Sequence, residues 1–328
     1  MKTYSLLCFL ALTAVASAEG PEVKHKAPRT ENGQPDLQGV WNFSSDVPLQ
    51  RPSAFADKKF FTREELEQQK AAKEKALSKI ATFAPVEVLG WLDYAARIEN
   101  LRTSLITYPE NGRLPNLVEG VRRAPDIEEF LAALSDAKGS LPPALLSGFG
   151  AGKKDGPEDL GAQPRCLFGP EAPLGPGLDN NYVQIVQAKD YVVLLTDTAR
   201  RIVALDGRPQ LGEKLLSWSG DSRGRWEGET LVIETRNFND RTRSFAGAGT
   251  SHDKVVTERF TRVSANALEY EATIVDPKTF QDKIVLSYPM ARSDSRIYEV
   301  ACHEGNYSMF NMLSGARKEE QEAMEAKP

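Results

Sequence analysis

Three side chains carry the chemistry this sequence could do: Glu258, His303 and Arg102. Glu258 lies in the run Val255–Val263, where Val256, Glu258, Phe260 and Arg262 alternate with Val255, Thr257, Arg259, Thr261 and Val263. Successive side chains of a strand point to opposite faces, so Glu258 shares a face with Val256 and Phe260. On an inward face, desolvation pushes a carboxyl group toward the range useful for general acid–base work. On an outward face the simpler expectation is an ion pair with Arg262. His303 follows Cys302, and an imidazole suits proton transfer near neutrality. Its neighbour Glu304 points the other way in extended structure and is not its automatic partner. Arg102 opens a turn-rich segment, 102–115, that could cover a cavity mouth and meet an anion or carbonyl group. Trp41, Tyr182, Trp226, Phe260 and Tyr298 stand on or beside predicted strands and are the candidate ligand contacts.

The other reactive types are sparse. Of three cysteines, Cys8 falls in the apolar N-terminus, and Cys166 and Cys302 are expected to pair as a disulfide. That bond would close a loop of about 136 residues, stabilising by about 5 kcal/mol in the chain-entropy model. The histidines are His25, His252 and His303, with no i, i+4 pair, so no metal site is expected. There is no Walker loop, dinucleotide fingerprint, His-Glu-x-x-His or nucleophile elbow, and no cofactor is expected. The net charge of −5 is spread along the chain without a basic stripe, which argues against a nucleic-acid partner.

These groups must be positioned by what surrounds them. Met1-Lys2, an apolar run from Tyr4 to Val15 and Ala16-Ser17-Ala18 have the layout of an export signal cleaved after residue 18. The run is too short to anchor a bilayer. No later stretch is long and apolar enough to span one, so a secreted, extracellular or periplasmic protein without a membrane span is expected. Residues 19–36 read as a flexible lead-in and 37–44 as a first strand. Residues 45–180 change character: Thr62-Arg63-Glu64-Glu65 is a capping box before a helix over Leu66–Ile80. Further helices are expected over Ala84–Asn100 and from Asp126, followed by a Gly/Pro-rich loop over 139–178. From 181 to 313 the period switches to two. Strands are expected at Tyr182–Gln187, Tyr191–Thr196, Arg201–Leu205, Leu215–Ser219, Thr230–Arg236, Val255–Val263, Leu268–Val275, Ile284–Met290 and Ile297–Ala301. Turns are expected at Gly220-Asp221 and Glu227-Gly228. Residues 314–328 read as a charged C-terminal helix. Closing such a meander removes its exposed edges.

Gly39-Val40-Trp41 resembles the calycin (lipocalin-like) Gly-x-Trp signature. The resemblance implies an antiparallel β-barrel whose Trp plugs one end, stacked on a late arginine for which Arg262 and Arg296 are candidates. This chain departs from that pattern by placing about 140 residues of helix and loop between its first strand and the rest. A second resemblance is carried by Pro35–Trp41, Arg102–Ile106, Gly220–Thr235 and Ala301–Tyr307. These blocks are similar to a family of secreted bacterial proteins of unassigned function, which implies no catalytic residues. Within the third block, Trp226-Glu227-Gly228 also reads simply as a packing Trp before a hairpin turn.

Closed barrels of about eight strands can hold one small ligand. The first expectation is therefore a secreted protein binding a small, largely apolar molecule. The second is a cofactor-free acid–base enzyme (isomerase, cyclase, lyase or hydrolase) using Glu258, His303 and Arg102 in the same cavity. A structural or adhesive role ranks last because the chain lacks repeats. An enzyme needs convergent titratable groups; a carrier needs only apolar walls and a polar anchor.

Overall fold

The computed structural model describes residues 25–81, 98–121, 154–160, 165–167, 172–176, 181–239, 245–249 and 252–326. The export signal, the helix expected from Asp126 and residues 84–97 of the second expected helix lie outside them. Residues 98–100, at the end of that expected helix, are not helical.

Ten strands form one sheet: β1 (Gly39–Asn42), β2 (Ile106–Tyr108), β3 (Tyr182–Gln187), β4 (Tyr191–Leu195), β5 (Arg200–Ala204), β6 (Asp221–Glu227), β7 (Thr230–Arg236), β8 (Val255–Ser264), β9 (Ala267–Val275) and β10 (Ile284–Ser293). β3 to β10 follow one another in order, and β1 joins β3 to β10, closing a nine-strand barrel. β1 closes the ring through Val40–Ser293, Trp41–Arg292 and Asn42–Ala291. β2, from inside the segment expected as helix and loop, lies on the other half of β10, at Val285 and Leu286.

The barrel is mixed rather than wholly antiparallel. β5 and β6 meet in parallel at Ala204 and Arg223, after a crossover of the length a parallel pair requires. That crossover contains Leu215–Ser219, expected as a strand. There the chain forms a single bridge, Ser217 to Phe238, and leaves Leu215 60% exposed. The expected turn at Gly220-Asp221 is instead the entry to β6. Gly220 has φ +72°, and a Cβ there would lie 2.6 Å from the Arg236 carbonyl oxygen. β6 hides its alternation because two of its three inward positions are small, Trp226 being the third: Ser222 bonds Thr235, and a Cβ on Gly224 would meet Val203 at 2.8 Å. Ile297–Ala301 is not a strand either, and Tyr298 and Val300 are exposed.

The longer strands alternate as expected. β8 and β9 bury every second residue, and β7 and β10 add Leu231, Ile233, Leu286, Tyr288 and Met290 to one core. α1 (Arg63–Ala81) begins at the capping box: Thr62 N–H donates to Glu65 Oε2 at 2.7 Å, and Glu65 N–H to Thr62 Oγ1 at 3.2 Å. α2 (Ser308–Glu325) forms the charged C-terminal helix. No helix among the described residues is long and apolar enough to cross a membrane. Cys166 and Cys302 form a disulfide with Cα atoms 5.7 Å apart. Residues 25–36, expected to be flexible, fold back: Arg29 bridges Pro35, and Arg29 pairs with Glu229 at the β6–β7 turn.

Candidate functional site

The inward face of β8, with the residue that leads into it, reads Lys254, Val256, Glu258, Phe260, Arg262, all at most 7% exposed. It places a cation at each end of the barrel and a carboxylate between them.

At one end, Trp41 is fully buried and its indole N–H donates to the Leu37 carbonyl at 2.8 Å. The guanidinium carbons of Arg262 and Arg292 stand 5.8 and 5.6 Å from the Trp41 ring. Gly39 has φ +127° and lets the Arg292 guanidinium approach to 3.1 Å of where a Cβ would sit. Arg262 also donates to the carbonyls of Asp36, Ser264 and Ala265, tying the entry of β1 to the β8–β9 turn. The Gly-x-Trp spacing is thus explained by packing at the barrel end. Arg262 is not the partner of Glu258.

In the middle, Arg201 of β5 reaches across the barrel and grips Glu258 with both terminal nitrogens, Nη2 at 2.9 Å from Oε1 and Nη1 on Oε2. The Tyr270 hydroxyl donates to Glu258 Oε1 at 2.8 Å. The same hydroxyl accepts the Leu174 N–H at 2.9 Å, and the Tyr288 hydroxyl donates to the Leu174 carbonyl at 2.8 Å. Two phenols therefore hold both backbone polar groups of one residue. Ala172 and Leu174 are buried in the same core, among Phe260, Tyr270 and Tyr288. The rings of Phe260 and Tyr270 lie 4.9 Å apart, and those of Tyr270 and Tyr288 5.1 Å. Burial first, and the nearby Glu258 charge second, hold both phenols well above the usual tyrosine range. A carboxylate gripped by a guanidinium and a hydroxyl is a satisfied anion, not a free base.

At the other end a cleft of about 700 Å³ is lined by Gln210, Leu211, Leu216, Asn237, His252 and Lys254, among others. Lys254 stands with its ammonium 4.1 Å from the centre of the buried Phe238 ring. Burial pushes its amine down to about 8, against the opposing pull of Asp276.

Of the residues singled out from sequence, Glu258, Phe260 and Trp41 are buried in the barrel interior, Trp41 at one end and the other two further along it. Tyr182 is half-buried on the face of β3 opposite the core residues Val183 and Ile185. Trp226 packs against the core from its rim, and its buried indole N–H has no acceptor among the described residues. Tyr298 is 74% exposed and His303 is exposed. Arg102 lies over the exposed Phe60 ring, 5.8 Å away. The expected trio does not converge, since only Glu258 is interior. Arg201, Tyr270, Tyr288 and Lys254 were not among the candidates. Period two puts Tyr270 on one face with Leu268, Tyr288 with Leu286 and Met290, and Lys254 with Val256, and that is the signal their sequence carries. Among the described residues no group of three His, Cys, Asp or Glu side chains could hold a metal ion.

No family model, curated protein or solved structure matches this chain.

Proposed function

We propose that this protein is an exported, lipocalin-like binding barrel for a small, largely apolar molecule, and that the ligand takes the position filled by Ala172–Leu174. The observation that carries the reading is the pair of phenols on Leu174. Tyr270 and Tyr288 offer one acceptor and one donor to a single residue's amide and carbonyl, within apolar walls. A ligand with an apolar body and one amide-like handle would satisfy the same groups, and few well-placed polar groups in an apolar pocket are what fixes such ligands. The Cys166–Cys302 disulfide and the export-signal layout of residues 1–18 support an oxidising, extracytoplasmic setting. Acid–base catalysis is disfavoured because Glu258 is engaged by Arg201 and Tyr270, and His303 faces solvent.

Passing the purified protein through a metabolite extract, followed by mass spectrometry, tests this. One apolar, amide-bearing class of compound is expected to be retained unchanged and to be lost from the Tyr270→Phe/Tyr288→Phe variant. Retention of nothing above a control protein, or conversion of a compound, overturns the proposal.

A further inference from the structure

The cleft at the Lys254 end is assigned no role by the barrel reading. Its amine is unlike the others described. Lys254 is 3% exposed yet lines an open cleft, and it lies against the face of Phe238. A ring face attracts a cation but cannot take its proton. Among the described residues Lys254 makes no ion pair; Asp276 acts on it only through space. Of the other charged groups in the cleft, Arg236 pairs with Glu234 and His252 lies 3.2 Å from Asp253, while Glu213 and Lys214 complete the lining. Such an amine is partly neutral near physiological pH, the form that attacks carbonyl carbon.

A second group in the cleft points to what the carbonyl compound carries. Gln210 donates through Nε2 to the Glu234 carbonyl at 3.3 Å, while its Oε1 is buried and accepts from no described residue. A buried acceptor without a donor is costly, and a ligand hydroxyl would relieve it. Leu211 and Leu216, 48% and 40% exposed, complete the wall.

We propose that this cleft is a site for small hydroxy-aldehydes or hydroxy-ketones, captured as a reversible imine on Lys254 with the hydroxyl donated to Gln210 Oε1. The neutral Nζ lone pair adds to the carbonyl carbon, the C=O π pair moves to oxygen, and transfer of one N–H proton to that oxygen gives the carbinolamine. The hydroxyl takes a second proton and leaves as water while the nitrogen lone pair forms the C=N bond, and nitrogen gives up its remaining N–H proton to leave the neutral imine. Hydrolysis reverses each step, so no oxidant or reductant is consumed.

The test treats the full-length protein at neutral pH with glycolaldehyde and cyanoborohydride, which reduces an imine to a stable secondary amine, and maps the modified lysines by mass spectrometry. Lys254 is expected to be modified more than about tenfold faster than Lys59 and Lys318, because burial against the Phe238 ring disfavours its charged form. Modification of Lys254 no faster than those two overturns the proposal. Gln210→Ala is expected to slow labelling of Lys254 by glycolaldehyde and to leave labelling by formaldehyde, which has no hydroxyl, unchanged. An equal effect on both reagents, or on neither, overturns the hydroxyl assignment. Labelling does not depend on what the barrel interior holds, so this result and the extract experiment can fail separately.

Discussion

Glu258 on β8 and Lys254, the residue just before that strand, are two inward positions apart, about 13 Å along the chain, and both are buried. Their chemistry differs because their partners differ. Glu258 has a guanidinium gripping both oxygens and a phenol on one of them. Lys254 has an aromatic face and a distant carboxylate. A buried charge with a full set of partners is structural, whereas one without them is left reactive. Burial alone does not decide between the two fates; the neighbouring groups do.

Removing the partner of Glu258 gives the largest expected effect. Arg201→Met leaves a carboxylate in the core without its countercharge and should cost about 3–5 kcal/mol in urea unfolding at neutral pH. The double variant Arg201→Met/Glu258→Leu removes both charges and should recover most of that loss, since replacing a buried pair with apolar groups is often near neutral. A loss below about 1 kcal/mol in the single variant would break the comparison, because Glu258 would then be no better partnered than Lys254.

The second effect appears in the pH dependence. The Lys254 amine titrates near 8 in the folded protein and near 10.5 in an unfolded chain. Between those values the unfolded chain binds more protons, so stability rises with pH, by on the order of 3 kcal/mol across the window. Below about 8 both states are charged and the rise is absent. Tyr270 and Tyr288 are shifted upward, so above about 10 the unfolded chain loses phenolic protons first and stability falls. Urea midpoints at steps from pH 7 to 10 should climb in the wild type relative to Lys254→Met. Parallel curves would show that the amine is paired after all.

Strands that alternate cleanly were legible from sequence. β7 is found at Thr230–Arg236 as expected, β8 and β9 within one residue of their expected ends, and β10 three residues longer. Elements whose pattern is not carried by apolar residues were not legible. β6 buries Ser222 and has a glycine at 224 where a Cβ would press on Leu205 and Val203, so little of its interior face reads as apolar. β2 has three residues and is defined by β10 rather than by its own sequence. Conversely, Leu215–Ser219 and Ile297–Ala301 have strand composition, but the first finds only the single bridge from Ser217 to Phe238 and the second joins no strand of the sheet. At the site, the inward face of Glu258 was readable from Val256 and Phe260. Its partner was not: Arg201 comes from β5, which is not adjacent to β8 in the sheet and is 57 residues away. Pairing across a barrel interior leaves no mark on local spacing.

The smallest expected effect separates the two phenols. Tyr270→Phe strands the Leu174 N–H and removes a donor from Glu258, two losses from one hydroxyl. Tyr288→Phe frees only the Leu174 carbonyl, which has two lone pairs and is cheaper to leave unpaired. Both changes keep the ring, so packing among Phe260, Tyr270 and Tyr288 is largely unchanged. Urea unfolding should register about 2–3 kcal/mol for Tyr270→Phe and about 1 kcal/mol for Tyr288→Phe. Equal losses would mean that Glu258 does not need the phenol. The guanidinium alone would then satisfy the carboxylate, and both tyrosines would serve only to hold whatever occupies the position of Leu174.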